Sequence, residues 1–222
     1  FCTLLADNVH AMPRVLSVQS HVVFGVVGNK AAVFPLELRG FTVDPLNTCQ
    51  LSNHTGYCSF AGSRTSADDL SAIWTSLESI GATDQYVGVL TGYVGRADVL
   101  AALVAKIVAL RSARGAALTI LCDPVCGDNG KLYVPEDVPP LYRELLRAST
   151  IATPNGFEAG LLSGVAPRCV ESAKKCAEWF HGLGPRLVVI TSIEERLEGA
   201  NSDDITNNSG SGSGGGPSPP AG

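Results

Sequence analysis

The sequence predicts an α/β fold: a central, mainly parallel sheet with helices on both faces. Short apolar, partly β-branched runs alternate along the chain with stretches of helical spacing. A polar group follows nearly every apolar run: Gln19-Ser20, Thr91-Gly92, Asp123, Asn155 and Thr191-Ser192. One polar strand end carries little weight, but five point to a site assembled along one edge of the sheet. Finally, 222 residues, 45% of them apolar and 17% charged, suffice for one globular domain of ordinary size.

Taken in order, residues 14–18 read as the first strand, followed by Gln19-Ser-His21 and Gly25-Val-Val-Gly28-Asn29. Residues 30–34 continue as a helix that Pro35 breaks or kinks, and residues 36–40 close that unit. A short strand at 41–43 is ended by Asp44-Pro45, and residues 47–50 and 52–56 read as polar loops. Residues 68–80 have helical spacing, with Ser66 as N-cap and Gly81 as stop. A strand at 86–90 runs into Thr91-Gly92-Tyr93. Residues 98–112 give the clearest helix, with Val99, Leu100, Leu103, Ile107 and Leu110 on one apolar face. Further on, the pattern predicts a helix at 136–147 opened by Pro135, a strand at 150–153, helices at 157–163 and 170–181, and a last strand at 187–190. Residues 14–198 form the expected domain. Residues 199–222 are polar and then rich in Gly, Ser and Pro, and read as a disordered or linker-like tail.

The central stretch is the strand at 118–122, which stops at Asp123-Pro124 because proline cannot donate to a sheet ladder. Asp123 and Asp128 therefore stand at and just beyond the strand's carboxyl edge. Two carboxylates on a tight Pro/Gly turn suit Mg²⁺ bridging to phosphates, since Mg²⁺ takes oxygen ligands and keeps several waters. The same two residues read equally well as turn-formers.

Composition narrows the classes further. A net charge of −5 gives no general electrostatic argument for nucleic acid binding. No apolar run approaches the roughly 20 residues of a membrane-spanning helix. The chain starts at Phe1, and residues 1–6 are too short, and lack the basic flank, for a signal peptide. Seven cysteines is an odd number, most of them in apolar or helical contexts, as for free thiols in a reducing compartment. Cys122 and Cys126 have no second pair at zinc-like spacing, which argues against a zinc site.

An ordered set of motifs carries a resemblance. Ser17-Val-Gln-Ser-His21, Gly25-Val-Val-Gly-Asn29, Ser52-Asn-His-Thr-Gly-Tyr57, Leu90-Thr-Gly-Tyr93, Cys122-Asp-Pro-Val125 with Gly127-Asp128, Leu132-Tyr-Val-Pro-Glu-Asp137, Thr153-Pro-Asn155 with Phe157-Glu158, and Val189-Ile-Thr-Ser192 stand in the order seen in pyridoxal kinases. These belong to the ribokinase-like superfamily, and the match runs from about Arg14 to Ser192. The resemblance implies that Ser20 and Thr55 contact the pyridoxal ring, that Tyr93 walls the pocket, and that Val27 or Gly28 lines it. It makes Tyr133 the aromatic tip of a flap that excludes water from the γ-phosphate. Asp123, Thr153, Asn155, Glu158, Thr191 and Ser192 resemble the ATP-binding residues. Asp123, Asp128 and Glu158 resemble the groups that organise Mg²⁺, or another divalent ion, and a monovalent cation such as K⁺. Taken singly, Tyr93 would pass for a half-buried core residue, Ser20 for a turn cap, Thr153-Pro154-Asn155 for a plain turn and His54 for a structural loop histidine.

The sequence also departs from that pattern. Gly156 stands where most members carry a larger polar residue. The Gly-Thr-Gly-Asp motif, which supplies the base and an anion hole, does not occur, and Asn201-Ser-Asp-Asp204 is no substitute. No catalytic base is therefore assigned, and the resemblance implies a ribokinase-like fold lacking its C-terminal part, with weak turnover. The leading expectation is ATP-dependent phosphorylation of the 5′-hydroxyl of pyridoxal, pyridoxine or pyridoxamine, in a cytosolic homodimer. The alternatives are a pyridoxal-binding remnant without turnover and a hydroxymethylpyrimidine or sugar kinase.

Overall fold

The computed structural model describes residues 12–193, so the expectation for residues 199–222 lies outside the described residues. The chain enters the sheet through β1 (Arg14–Val22) and crosses through α1 (Asn29–Leu38) to β2 (Thr42–Leu51). A short β3 (Gly62–Arg64) folds back on β2, and α2 (Ala67–Ser79) leads to β4 (Tyr86–Thr91). Then come α3 (Ala97–Arg114), β5 (Thr119–Cys122), a hairpin of β6 (Gly127–Asp128) and β7 (Lys131–Leu132), and α4 (Pro139–Ala148). The last elements are β8 (Ile151–Ala152), α5 (Gly156–Ser163), α6 (Val170–Leu183) and β9 (Leu187–Val188).

Among the described residues, seven strands form the main sheet in the order β3-β2-β1-β4-β5-β8-β9. Every pairing in it is parallel except β2 with β3. From β1 the chain steps one way to β2, and every later crossover steps the other way. Right-handed crossovers then put α1 on one face and α2 to α6 on the other. The packing agrees. Leu16, Val18, Val89, Ile120, Cys122 and Ala152 share one apolar cluster with residues of α2, α3, α4, α5 and α6. Helix α1 touches β1 and β2 but adds no apolar residue to that cluster. The predicted helices on both faces are present, unevenly divided. The strand order reverses between β1 and β4, and ligands bind at such a switch point, beyond the carboxyl ends of the strands.

Two prolines mislead the sequence reading. Pro45 does not end a strand: β2 runs through it for ten residues, and residues 47–50 are strand rather than loop. Pro45 pairs with Ser17 of β1, while β3 covers only Cys49 to Leu51 on the other side. The missing N–H costs nothing on that uncovered edge. Pro35 likewise lies inside α1. Its ring suits the helical φ, and the bond it removes belongs to the carbonyl of Ala31. Ala31 and Pro35 are both exposed, so water can take that carbonyl.

Helix α4 begins later than expected, at Pro139-Pro140 instead of residue 136. Paired prolines in the first turn forfeit only N–H groups that a helix leaves unpaired there. The cap of α2 is as predicted: Ser66 accepts from the Asp69 amide. Helix α3 buries the five residues of its predicted face. The six described cysteines are free thiols.

Candidate active site

The carboxyl ends of β1 and β2, with the segment leaving β4, carry a small apolar cluster. Along β2 the alternation Cys49-Gln50-Leu51 turns Cys49 and Leu51 inward beside Val22 of β1, with Val27 and Tyr93 packed against them. Ser20 sits next to this cluster, paired in register with Cys49 and nearly buried. Gly28 approaches so closely that a β-carbon on it would lie 2.1 Å from the Ser20 carbonyl oxygen. Its φ of +56° is one that side-chain-bearing residues rarely adopt. Asn29 then pins the start of α1 to the rim, its amide nitrogen lying 3.3 Å from the carbonyls of Gln19 and Leu46 and 2.8 Å from Oδ1 of Asn47.

Tyr93 packs on the cluster from the segment leaving β4. Its carbonyl accepts from the Thr48 hydroxyl at 2.7 Å. Burial raises the pKa of its phenol, and Arg64 opposes that shift. Thr55 lies in the loop after β2 and is exposed. Beside it the rings of His54 and Tyr57 pack 4.6 Å apart, and Nδ1 of His54 accepts from the Gly56 amide at 3.2 Å. That is the structural role expected of a loop histidine.

The phosphate-side candidates follow β5 and β8. The Asp123 amide donates to the Thr91 carbonyl at 2.9 Å, which fixes its backbone at the strand end. Burial pushes the Asp123 carboxyl up to about 6, and the Thr153 hydroxyl beside it pulls partly back. Asn155 caps α5: Oδ1 accepts from the Glu158 amide at 2.9 Å while Nδ2 donates to the Gly127 carbonyl at 2.8 Å. Glu158 completes a capping box by accepting from the Asn155 amide at 2.9 Å, and its other oxygen accepts from the Cys126 amide at 3.0 Å. Only 2% exposed, Glu158 therefore staples the Asp123–Asp128 loop to the start of α5. Burial is the main cause lifting its carboxyl to about 7; the backbone bonds lower it and Asp123 raises it further.

Asp128 lies in the β6–β7 hairpin, where its Oδ1 accepts from the Asn129 amide at 2.8 Å. The two connecting residues, Asn129 and Gly130, both have positive φ, 49° and 74°. That is the two-residue turn that an Asn-Gly pair favours. Tyr133 leaves this hairpin half exposed, held by its amide on the Cys126 carbonyl at 2.8 Å. Thr191 and Ser192 lie beyond β9. The Thr191 amide donates to the Pro154 carbonyl at 2.9 Å, and the Gly156 amide donates to the Ser192 hydroxyl at 3.2 Å. A β-carbon at Gly156 would stand 2.7 Å from the Ser192 carbonyl oxygen. Gly156 thus lets the last strand's exit lie against α5.

The sheet edge therefore gathers the predicted residues in two groups. Val27 and Tyr93 pack on the apolar cluster, with Ser20 and Gly28 beside it and Thr55 on the loop outside it. Asp123, Thr153, Asn155, Glu158, Thr191 and Ser192 follow the neighbouring strands, with Asp128 and Tyr133 on the hairpin. Thr48, Cys49, Leu51 and Arg64 were not expected there; for Cys49 and Leu51 the period-two pattern at the end of β2 is the signal, hidden by the proline before it, whereas Thr48 sits at the register shift and Arg64 on β3. Among the described residues no group of three or more His, Cys, Asp or Glu side chains is gathered to hold a metal ion by itself. The oxygen-only chemistry of Asp123 and Asp128 fits Mg²⁺ bound through one or two carboxylates, with phosphate and water completing its shell.

A doubly wound sheet with an apolar cluster at its switch point and carboxylates in the segments that follow the adjoining strands is the architecture of a ribokinase-like α/β protein. Comparison with known proteins agrees. The phosphomethylpyrimidine kinase family model matches residues 70–212, and the chain belongs to that family. The pyridoxal kinase of Arabidopsis thaliana is 46% identical over 183 residues, 81% of this chain and 58% of that protein. The human pyridoxal kinase is 44% identical over 82% of this chain and 59% of its own length. The pyridoxal kinase of Leishmania donovani, solved with ADP and pyridoxamine, superposes with a TM-score of 0.78 at 44% identity, covering 82% of this chain and 63% of that one. The chain thus spans a little under two thirds of the length of these relatives.

Proposed function

We propose that this protein binds a B6 vitamer and ATP side by side and belongs to the chemistry ATP + pyridoxal → ADP + pyridoxal 5′-phosphate. The observation that carries the reading is the placing of two unlike groups at the carboxyl edge around one switch point: the apolar cluster of Val22, Val27, Cys49, Leu51 and Tyr93, and the buried carboxylate of Asp123. Relatives solved with ADP together with pyridoxamine or pyridoxine support it. In this reading Ser20 and Thr55 bond the ring's polar atoms, and Tyr93 and Leu51 close on its faces. Asp123 and Asp128 would hold Mg²⁺; when bound, the ion would neutralise charge on the transferring group. Asn155 and Glu158 keep the Asp123 loop in place, Thr153, Thr191 and Ser192 contact the nucleotide, and Tyr133 closes over the site. A monovalent cation such as K⁺ near Asp123, a homodimer and a cytosolic location belong to the same reading. No described helix is long and apolar enough to cross a membrane.

The 222 residues contain no Gly-Thr-Gly-Asp, so no residue here is assigned as the base that takes the 5′-hydroxyl proton. A second reading is a vitamer-binding protein without turnover. Calorimetry with pyridoxal and with Mg-ATP, beside an absorbance assay for the phosphorylated product, separates the two. Heats for both ligands with product formation match the first reading; pyridoxal heat without product matches the second; no pyridoxal heat ends both. Competition by hydroxymethylpyrimidine tests the substrate that the family's name raises.

A further inference from the structure

Tyr142 lies on α4, fully buried, away from either ligand surface. Its ring belongs to the apolar cluster, but its hydroxyl sits among three backbone groups. It accepts from the Val94 amide at 3.3 Å, and its single proton serves the carbonyls of Gly92, at 3.0 Å, and Val125, at 3.2 Å. Gly92 and Val94 flank Tyr93, the proposed vitamer wall. Val125 belongs to the loop between Asp123 and Asp128. One oxygen atom therefore joins the segments leaving β4 and β5.

The remaining supports of these segments act on one of them at a time. Thr48 holds Tyr93 from the side of β2. Glu158 and Asn155 hold Cys126 and Gly127 from the side of α5. Among the described residues, the Asp123 amide donating to the Thr91 carbonyl and the Thr91 hydroxyl donating to the Leu121 carbonyl at 3.3 Å, both at the strand ends themselves, link the two at their root. Packing alone would be served by phenylalanine at 142, so the hydroxyl's contribution lies in these three groups. A buried amide and two carbonyls left without it would have to find other partners, and both loops would move to do so.

We infer that Tyr142 is a positioning residue that sets the vitamer wall and the phosphate-side loop as one unit. This goes beyond the kinase reading while resting on it for the names of the two ligands. A ligand that orders one loop then prepares the other, giving coupled binding of the size common between linked sites, roughly 5–150-fold.

The test compares Tyr142→Phe with Tyr86→Phe, a second fully buried tyrosine at the opposite end of β4. Amide hydrogen exchange is measured without ligand. Calorimetry then gives the affinities for pyridoxal and for a non-hydrolysable ATP analogue, each alone and with the other. In Tyr142→Phe, exchange should rise at least tenfold in residues 92–96 and 123–126 together. Both affinities should fall at least fivefold, and the effect of one ligand on the other should vanish. Tyr86→Phe should leave all of these unchanged. Equal stability losses in the two variants with both affinities retained would overturn the proposal. So would loosening of one segment alone, or a Val94 amide that already exchanges freely in the unsubstituted protein. If that protein binds neither ligand while Tyr142→Phe still loosens both segments, the brace stands and the kinase reading falls.

Discussion

Gly28 shows how tightly the carboxyl edge of the sheet is drawn. Its φ of +56° with ψ of −133° belongs to a region that essentially only glycine occupies, and the Ser20 carbonyl leaves no room for a β-carbon. Gly28→Ala must therefore strain the backbone or push Ser20 off its strand. The expected loss is roughly 3 kcal/mol or more of stability, read by denaturant unfolding, together with loss of pyridoxal binding. An alanine variant as stable as the parent would mean that the approach to Ser20 is looser than described. Asn155 can be taken apart more finely. Asn155→Ala removes the cap and the donor to Gly127, and should cost about 1–2 kcal/mol. Asn155→Asp keeps the acceptor for the Glu158 amide but cannot donate to Gly127. It should recover most of the stability in thermal melts and little of the affinity for Mg-ATP in calorimetry. Equal recovery of both would show that the Gly127 contact is incidental. The polar candidates at this edge, Thr48 and Arg64 apart, are named by motifs, whereas Cys49 and Leu51 are not. Apolar residues carry no chemical signature, and only knowing that β2 continues past Pro45 reveals which way they face.

At the scale of elements, the helices were more legible than the short strands. A helix such as α3 repeats its apolar spacing over several turns, so Val99 to Leu110 declare their face without help from the rest of the chain. A strand of two residues, such as β8 or β9, is defined by its neighbours. The β6–β7 hairpin was missed although Asn129-Gly130 is a strong turn signal, because its strands are too short to show alternation. The foot of the sheet offers a test independent of any ligand. Arg14 of β1 pairs with Asp44 of β2 at 2.8 Å, and Tyr86 of β4 is buried beside them. Burial first, and Asp44 second, raise the Tyr86 phenol to about 12. The folded chain thus holds a proton that the unfolded chain releases near pH 10. The resulting stability is fully present below pH 10 and falls as pH rises through 12, by up to about 2–3 kcal/mol. Chemical denaturation between pH 9 and 12 should show this decline in the parent and a shallower one in Tyr86→Phe. Identical slopes would remove Tyr86 as its source.

At the scale of the molecule, the two faces of the sheet are covered very differently among the described residues. Thr91, Cys122, Ala152 and Val188 stand in register on the face beneath α2 to α6. One residue earlier on each strand, Leu90, Leu121, Ile151 and Leu187 form a matching apolar row on the other face. Helix α1 lies over β1 and β2 and does not reach it. Leu187 is 52% exposed and Val189, two residues on and so on the same side, is 44% exposed. Contiguous apolar surface of this kind binds hydrophobic probes and drives association. The purified chain should therefore enhance the fluorescence of an anionic hydrophobic dye and self-associate as its concentration rises, measured by sedimentation. Replacing Leu187 and Val189 together by threonine should reduce both effects. Because these side chains are already largely in water, and threonine suits a strand, the change in unfolding free energy should stay within about 1 kcal/mol. Losing much more stability would show that the two side chains are packed against something, and that this face of the sheet is closed in solution.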